Sequence, residues 1–154
     1  MSPLVYRQMK RGTPHLLLEG VMTIAIEDRL AIVELIARHG HLVDNGGLHR
    51  SDELFDADAV FDLTDFGAGE VHGLEALYEL ARQLGDANPV GHHVTNTVLS
   101  ELPGGEVLAQ SKGIGVNADG TCGSVTYEDR LARRADGWRI SHRRIRARRR
   151  PGVM

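Results

Sequence analysis

The segment Val90–Leu99, VGHHVTNTVL, places two adjacent histidines inside a run of β-branched residues. Such a run reads as a strand whose side chains alternate between two faces. His92, Val94, Asn96 and Val98 then share one face, and His93, Thr95, Thr97 and Leu99 share the other. Whichever face turns inward carries a histidine, so the choice between His92 and His93 stays open. A buried imidazole needs a partner for each ring nitrogen or a proton to transfer. The candidate partner is Asp44, which continues an apolar helical stripe to its C-terminal end. Carbonyl dipoles disfavour a carboxylate there by up to about 1 kcal/mol. A carboxylate at that end, beside a strand histidine, suits general acid–base proton transfer in a pocket.

The elements that must bring these residues together follow from periodicity. Thr23 suits an N-cap for a helix running to about Asp44, stopped by Asn45-Gly46-Gly47. Ile26, Leu30, Val33, Ala37, Gly40 and Asp44 form one stripe of it, and Ile32, Ile36, His39 and Val43 an adjoining one. A short helix capped by Ser51 is expected over Ser51–Phe55, a strand over Ala59–Asp65, a turn at Gly67-Ala68-Gly69, and a third helix over Leu74–Leu84. Four strands follow from His92, separated by Pro103-Gly104-Gly105, Ala118-Asp119-Gly120 and Ala135-Asp136-Gly137, turns that make antiparallel hairpins. The expected fold class is α+β: a cone-shaped curved antiparallel sheet, with three N-terminal-side helices enclosing a pocket. Residues 1–22 read as an irregular N-terminal extension, 23–148 as the domain, and 149–154 as a basic C-terminal tail. Patterned sequence begins immediately after Met22.

Composition narrows the function classes. The chain has 154 residues, is 42% hydrophobic and 25% charged, and carries a net charge of −3, ordinary values for one soluble domain. The single cysteine, Cys122, excludes an internal disulfide. No apolar run approaches the roughly 20 residues of a membrane span, and Glu19 interrupts the one short run near the start. A cytoplasmic protein is expected, with no membrane association. The basic stretch Arg143–Arg150 lacks the interleaved aromatic residues of a nucleic-acid surface. It suits a subunit interface or an anionic substrate instead. Eight histidines raise the question of a metal, but no zinc-type spacing occurs, and adjacent strand residues such as His92 and His93 face apart. No metal and no cofactor are expected. Gly113-Ile114-Gly115 lies within a strand and opens no helix, so it is not a phosphate loop.

Three segments carry a family resemblance: ARHGHLVD (Ala37–Asp44), HHVTN (His92–Asn96) and YEDRLARRADGWRISHRRI (Tyr127–Ile145). With the element order, they make the chain resemble the SnoaL-like branch of the nuclear-transport-factor-two-like superfamily. That grouping includes scytalone dehydratase, polyketide cyclases and ketosteroid isomerase-like proteins. The resemblance implies a cone fold, a homodimer, a small-molecule substrate and no cofactor. It implies Asp44 and His92 as a His–Asp dyad, with Asp44 fixing the ring and His92 moving the proton, as in a dehydratase-like lyase. A cyclase or isomerase with the same dyad, or a non-catalytic binding module, is the alternative. His39 stands five residues before Asp44, where related dehydratases carry tyrosine or lysine; the resemblance favours it as a polarising residue. Helical geometry instead makes His41 the nearer neighbour of Asp44. Tyr127 is the fourth candidate catalytic residue. Candidate ligand contacts are His93, Asn96 and His41, with Phe55, Phe61, Phe66 and Trp138 as pocket walls.

Overall fold

A computed structural model describes residues 24–148. Helix α1 (Ile26–Asp44) is followed by a six-residue 3-10 segment, Leu48–Glu53. Strands β1 (Phe55–Leu63) and β2 (Gly69–His72) precede helix α2 (Leu74–Leu84). Four strands complete the domain: β3 (Gly91–Glu101), β4 (Val107–Val116), β5 (Cys122–Arg134) and β6 (Gly137–Ala147). They form one open six-stranded curved sheet in the order β2-β1-β6-β5-β4-β3. The meander β3–β6 is antiparallel throughout, and β1 joins β6 in parallel.

The expected architecture holds, with corrections at its edges. The short helix over Ser51–Phe55 is instead the 3-10 segment, because Leu54 and Phe55 are drawn into the core and Phe55 already pairs with Ile140. Strand β1 therefore starts four residues before the expected Ala59. The Gly67-Ala68-Gly69 turn is the bend of a hairpin whose return strand, β2, is four residues long; it pairs Leu63 with Gly69 and Val60 with His72. Thr23 and the expected extension and tail at 1–22 and 149–154 lie outside the described residues.

The core lies between α1 and the inner face of the sheet. Ile32, Leu35 and Ile36 come from α1, Phe55, Ala59 and Phe61 from β1, and Val107, Ala109, Leu131 and Ile140 from the meander. The stripe beginning at Ile26 does not turn inward along its whole length. Ile26, Leu30 and Val33 are 62%, 66% and 44% exposed, while Gly40 further along is buried. Spacing identifies two adjoining stripes but not which one meets the sheet.

Two bulges decide which side chains face inward. In β3, Thr95 pairs with Lys112 and Val98 with Gln110, so one extra residue is inserted. Asn96 absorbs it with φ of +55°, a left-handed conformation that asparagine tolerates better than most residues. The parity of β3 flips there: Val94 and Leu99 both pack on the core, and Val98 is 62% exposed. The expected grouping of Asn96 and Val98 with His92 fails for that reason. In β6, His142 pairs with Arg130 and Ile140 with Leu131, so Ser141 is the extra residue. Ile140 and Arg143, an odd number of positions apart, consequently both face inward and are buried.

Candidate active site

The last turns of α1 lie directly against β3, and Gly40 is the reason. A Cβ at Gly40 would stand 2.2 Å from the carbonyl oxygen of His92, closer than any side chain is tolerated. One helical turn later, the Asp44 carboxylate reaches the same strand residue. Its Oδ1 lies 2.7 Å from His92 Nδ1, and the His92 backbone N–H donates to Oδ2 at 2.9 Å and Oδ1 at 3.1 Å. These bonds satisfy a carboxylate that the helix end would otherwise disfavour. With Asp44 ionised, Nδ1 carries the proton and donates, which leaves the lone pair on Nε2. The side chains are 13% exposed for His92 and 26% for Asp44, a balance that fixes the ring while leaving the pair in contact with solvent.

His39 projects into the interior. Five residues separate it from Asp44, about 140° around the helix, so it turns away from the carboxylate. Its ring meets three others edge-on, with centroids 5.9 Å from His92, 6.0 Å from Tyr127 and 6.2 Å from Phe55. Its Nδ1 is sealed from solvent and has no hydrogen-bond partner. Burial, reinforced by the nearby Arg143 charge and by His92, holds the His39 pKa well below the ordinary imidazole value. His39 is therefore a neutral imidazole at neutral pH.

Tyr127 closes the cluster from β5. Its ring leans over Gly113 on the neighbouring strand, where a Cβ would come within 2.4 Å of it. Burial raises the phenol pKa, so the hydroxyl stays protonated. Beneath it lies a pair that the sequence analysis did not single out. Arg143 donates from Nε and Nη2 to Asp129 at 2.7 and 2.8 Å, and both residues are almost wholly buried. The guanidinium stacks 4.6 Å from the Tyr127 ring centre and 5.0 Å from that of Phe55. Burial alone would lower the Arg143 pKa. The charge and hydrogen bonds of Asp129 outweigh that effect, and the Arg143 pKa is raised. Its Nη1 and the Oγ of Ser111 are both buried without partners.

The other candidate residues are dispersed. His93 is exposed on the outer face of β3. Asn96 accepts a hydrogen bond from the Thr95 hydroxyl at 2.6 Å and shapes the bulge. His41 is exposed and lines a surface cleft with Arg38, Asn45, His49 and Arg50. Phe66 is 55% exposed in the short turn after β1. Trp138 is buried at the opposite end of α1, where its indole N–H donates to Asp28 at 3.1 Å. Phe55 and Phe61 pack on each other at 5.0 Å, with Phe55 against both His39 and Arg143. Among the described residues, no group of three or more histidine, cysteine, aspartate or glutamate side chains is arranged to hold a metal, and no helix is long and apolar enough to cross a membrane.

An open curved sheet crossed by a long helix, with a His–Asp pair where the two meet, defines a class of protein. The solved structures it resembles are of the nuclear-transport-factor-two-like, or cystatin-like, type. One, from Novosphingobium aromaticivorans, is described as a candidate aromatic ring hydroxylase. It is 28% identical, with a TM-score of 0.65 over 83% of this chain and 94% of its own. A second protein from that organism, described as NTF2-like with a cystatin-like fold, is 24% identical, with a TM-score of 0.67 over 82% and 86%. LinA is 21% identical, with a TM-score of 0.67 over 83% and 92%. These last two likenesses speak to the fold alone. Comparison with curated proteins finds none that matches the sequence. The model of the SnoaL-like domain matches residues 25–144, and the chain belongs to that family. Membership makes it a small-molecule enzyme or binding module.

Proposed function

We propose that the protein is a cofactor-independent lyase of the dehydratase type, acting on a small, largely apolar cyclic or polyketide-like substrate. The observation that carries this reading is the 2.7 Å contact between Asp44 Oδ1 and His92 Nδ1. Asp44 fixes the tautomer and the ring plane; His92 Nε2 removes a proton adjacent to a carbonyl. The imidazolium formed returns that proton to the departing hydroxide, so water leaves and the histidine is regenerated. The neutral His39, the protonated Tyr127 and the free Nη1 of Arg143 are the available donors to the carbonyl oxygen as it gains charge. Cyclisation or isomerisation requires the same proton abstraction and differs only in where the electrons go.

A second reading, a binding module that does no chemistry, draws on one specific observation. Three surface clefts of the described residues are lined by none of His39, His92, Tyr127 or Arg143. Incubating the protein in deuterated water with a panel of cyclic β-hydroxyketones separates the readings. The lyase reading expects loss of the proton beside the carbonyl and growth of enone absorbance, both abolished in His92→Ala. Equal turnover by the wild type, His92→Ala and Asp44→Asn would remove the mechanism.

A further inference from the structure

The interior cluster contains an excess of hydrogen-bond donors and no uncancelled charge. Three buried side-chain polar atoms of the described residues lack partners: Arg143 Nη1, Ser111 Oγ and His39 Nδ1. All three residues adjoin Tyr127. Ser111 is its cross-strand partner, Arg143 stacks on its ring, and His39 meets it edge-on. Arg143 Nη1 can only donate, the serine hydroxyl can donate, and a neutral histidine nitrogen takes either role by tautomer. A buried donor without an acceptor is costly, and an oxygen acceptor on a bound molecule would satisfy these atoms.

The charge balance limits which acceptors fit. Asp129 holds Nε and Nη2 of Arg143 and cancels its charge, and both are buried. His39 is neutral, and any charge His92 gains is matched by Asp44. A carboxylate entering this interior would surrender its hydration and meet no free positive charge. A carbonyl oxygen surrenders far less and still takes the hydrogen bond from Nη1. We infer that the site selects molecules presenting an uncharged oxygen acceptor, a ketone or ester rather than a carboxylate, and that Asp129 is the specificity-determining residue. The inference rests on the interior cluster being the substrate site of the proposed lyase.

Acetophenone and benzoate share a ring and differ as neutral carbonyl and carboxylate. Their binding at pH 8 is followed through the amide NMR signals of His92 and Asp129. The wild type is expected to bind acetophenone at least tenfold more tightly. Asp129→Asn frees the Arg143 charge and should swing the preference toward benzoate by tenfold or more. Benzoate binding as tightly as acetophenone, neither probe reaching those signals, or an unchanged ratio in Asp129→Asn would each overturn the inference. Should Asp129→Asn fail to fold, the wild-type ratio decides, repeated with methyl benzoate against benzoate. A preference that survives while dyad chemistry proves absent leaves this inference standing and removes the lyase reading.

Discussion

Two of the carboxylates that grip nitrogen side chains in this protein, Asp44 and Asp129, do so in opposite surroundings. Asp44 holds His92 where α1 meets the edge strand β3, with a quarter of the aspartate side chain open to solvent. Asp129 holds Arg143 across the centre of the sheet, with 0% and 1% exposure. The first pair joins a carboxylate to an imidazole; the second joins one to a guanidinium, which keeps its charge. Solvent contact leaves the His92 side of its pair open to water, whereas sealing keeps the Arg143 charge fixed in place and direction. Under the proposed mechanism, proton movement belongs to the rim and fixed polarity to the interior.

The largest expected effect tests the sealed pair. Asp129→Ala leaves a buried guanidinium with no counter-charge and should cost about 3–5 kcal/mol of folding stability. The double variant Asp129→Leu with Arg143→Met should recover most of that loss in urea unfolding. If Asp129→Ala unfolds at the wild-type midpoint, the pair is not the structural ion pair described here. The rim pair should behave oppositely. Asp44→Asn should change stability modestly and slow proton abstraction roughly a hundred- to thousand-fold, about 3–4 kcal/mol of barrier. Ring nitrogen NMR shifts of His92 should show the tautomer no longer fixed. Unaltered shifts and rate would break the contrast from the other side.

The rim pair was legible in the sequence and the sealed pair was not, for a physical reason. Asp44 and His92 lie in regular elements where helical spacing and strand alternation hold as far as the residues concerned. The β3 bulge at Asn96 comes after His92, so it spoiled the placement of Asn96 and Val98 without disturbing the histidine. Arg143 lies beyond the β6 bulge at Ser141. Strict alternation from Trp138 and Ile140 puts His142 inside and Arg143 outside, and the adjoining arginines then disguise it as part of a solvated basic run. Asp129 did leave a signal: it lies between Tyr127 and Leu131 on an unbroken alternation, a carboxylate on the buried face of a central strand. The helix α1 shows the other limit, since His39 and His41 differ in orientation by 200° and only the sheet's position says which is inside.

Gly40 controls how closely the rim pair is drawn together. Gly40→Ala favours the helix by up to about 1 kcal/mol through propensity, but its methyl group meets the His92 carbonyl. The net cost should be roughly 1–3 kcal/mol, as for other overpacked positions. Because the methyl pushes α1 off β3, the His92 amide proton should also lose its protection from hydrogen exchange as the Asp44 bond lengthens. A stabilised variant with that protection intact would show that the backbones have room to spare.

His39 gives the smallest effect and the finest test, because it lies between the two pairs. Its pKa is depressed in the folded protein by burial, with the Arg143 charge adding to the shift. Below the ordinary imidazole value, the unfolded chain binds a proton that the folded chain refuses. Folding stability therefore falls with acidification from about pH 6.5 toward the folded pKa, at up to about 1.4 kcal/mol per pH unit, and is fully regained above that window. His39→Phe removes the titrating group while filling its space. Unfolding free energies at pH 7.5 and 5.5 should fall by about 1 kcal/mol more in the wild type than in His39→Phe, since other titrating groups are common to both. Parallel losses in the two proteins would mean that His39 accepts a proton freely. It would then belong with the solvated rim, and the boundary between proton movement and fixed polarity would have to be drawn deeper, at Tyr127.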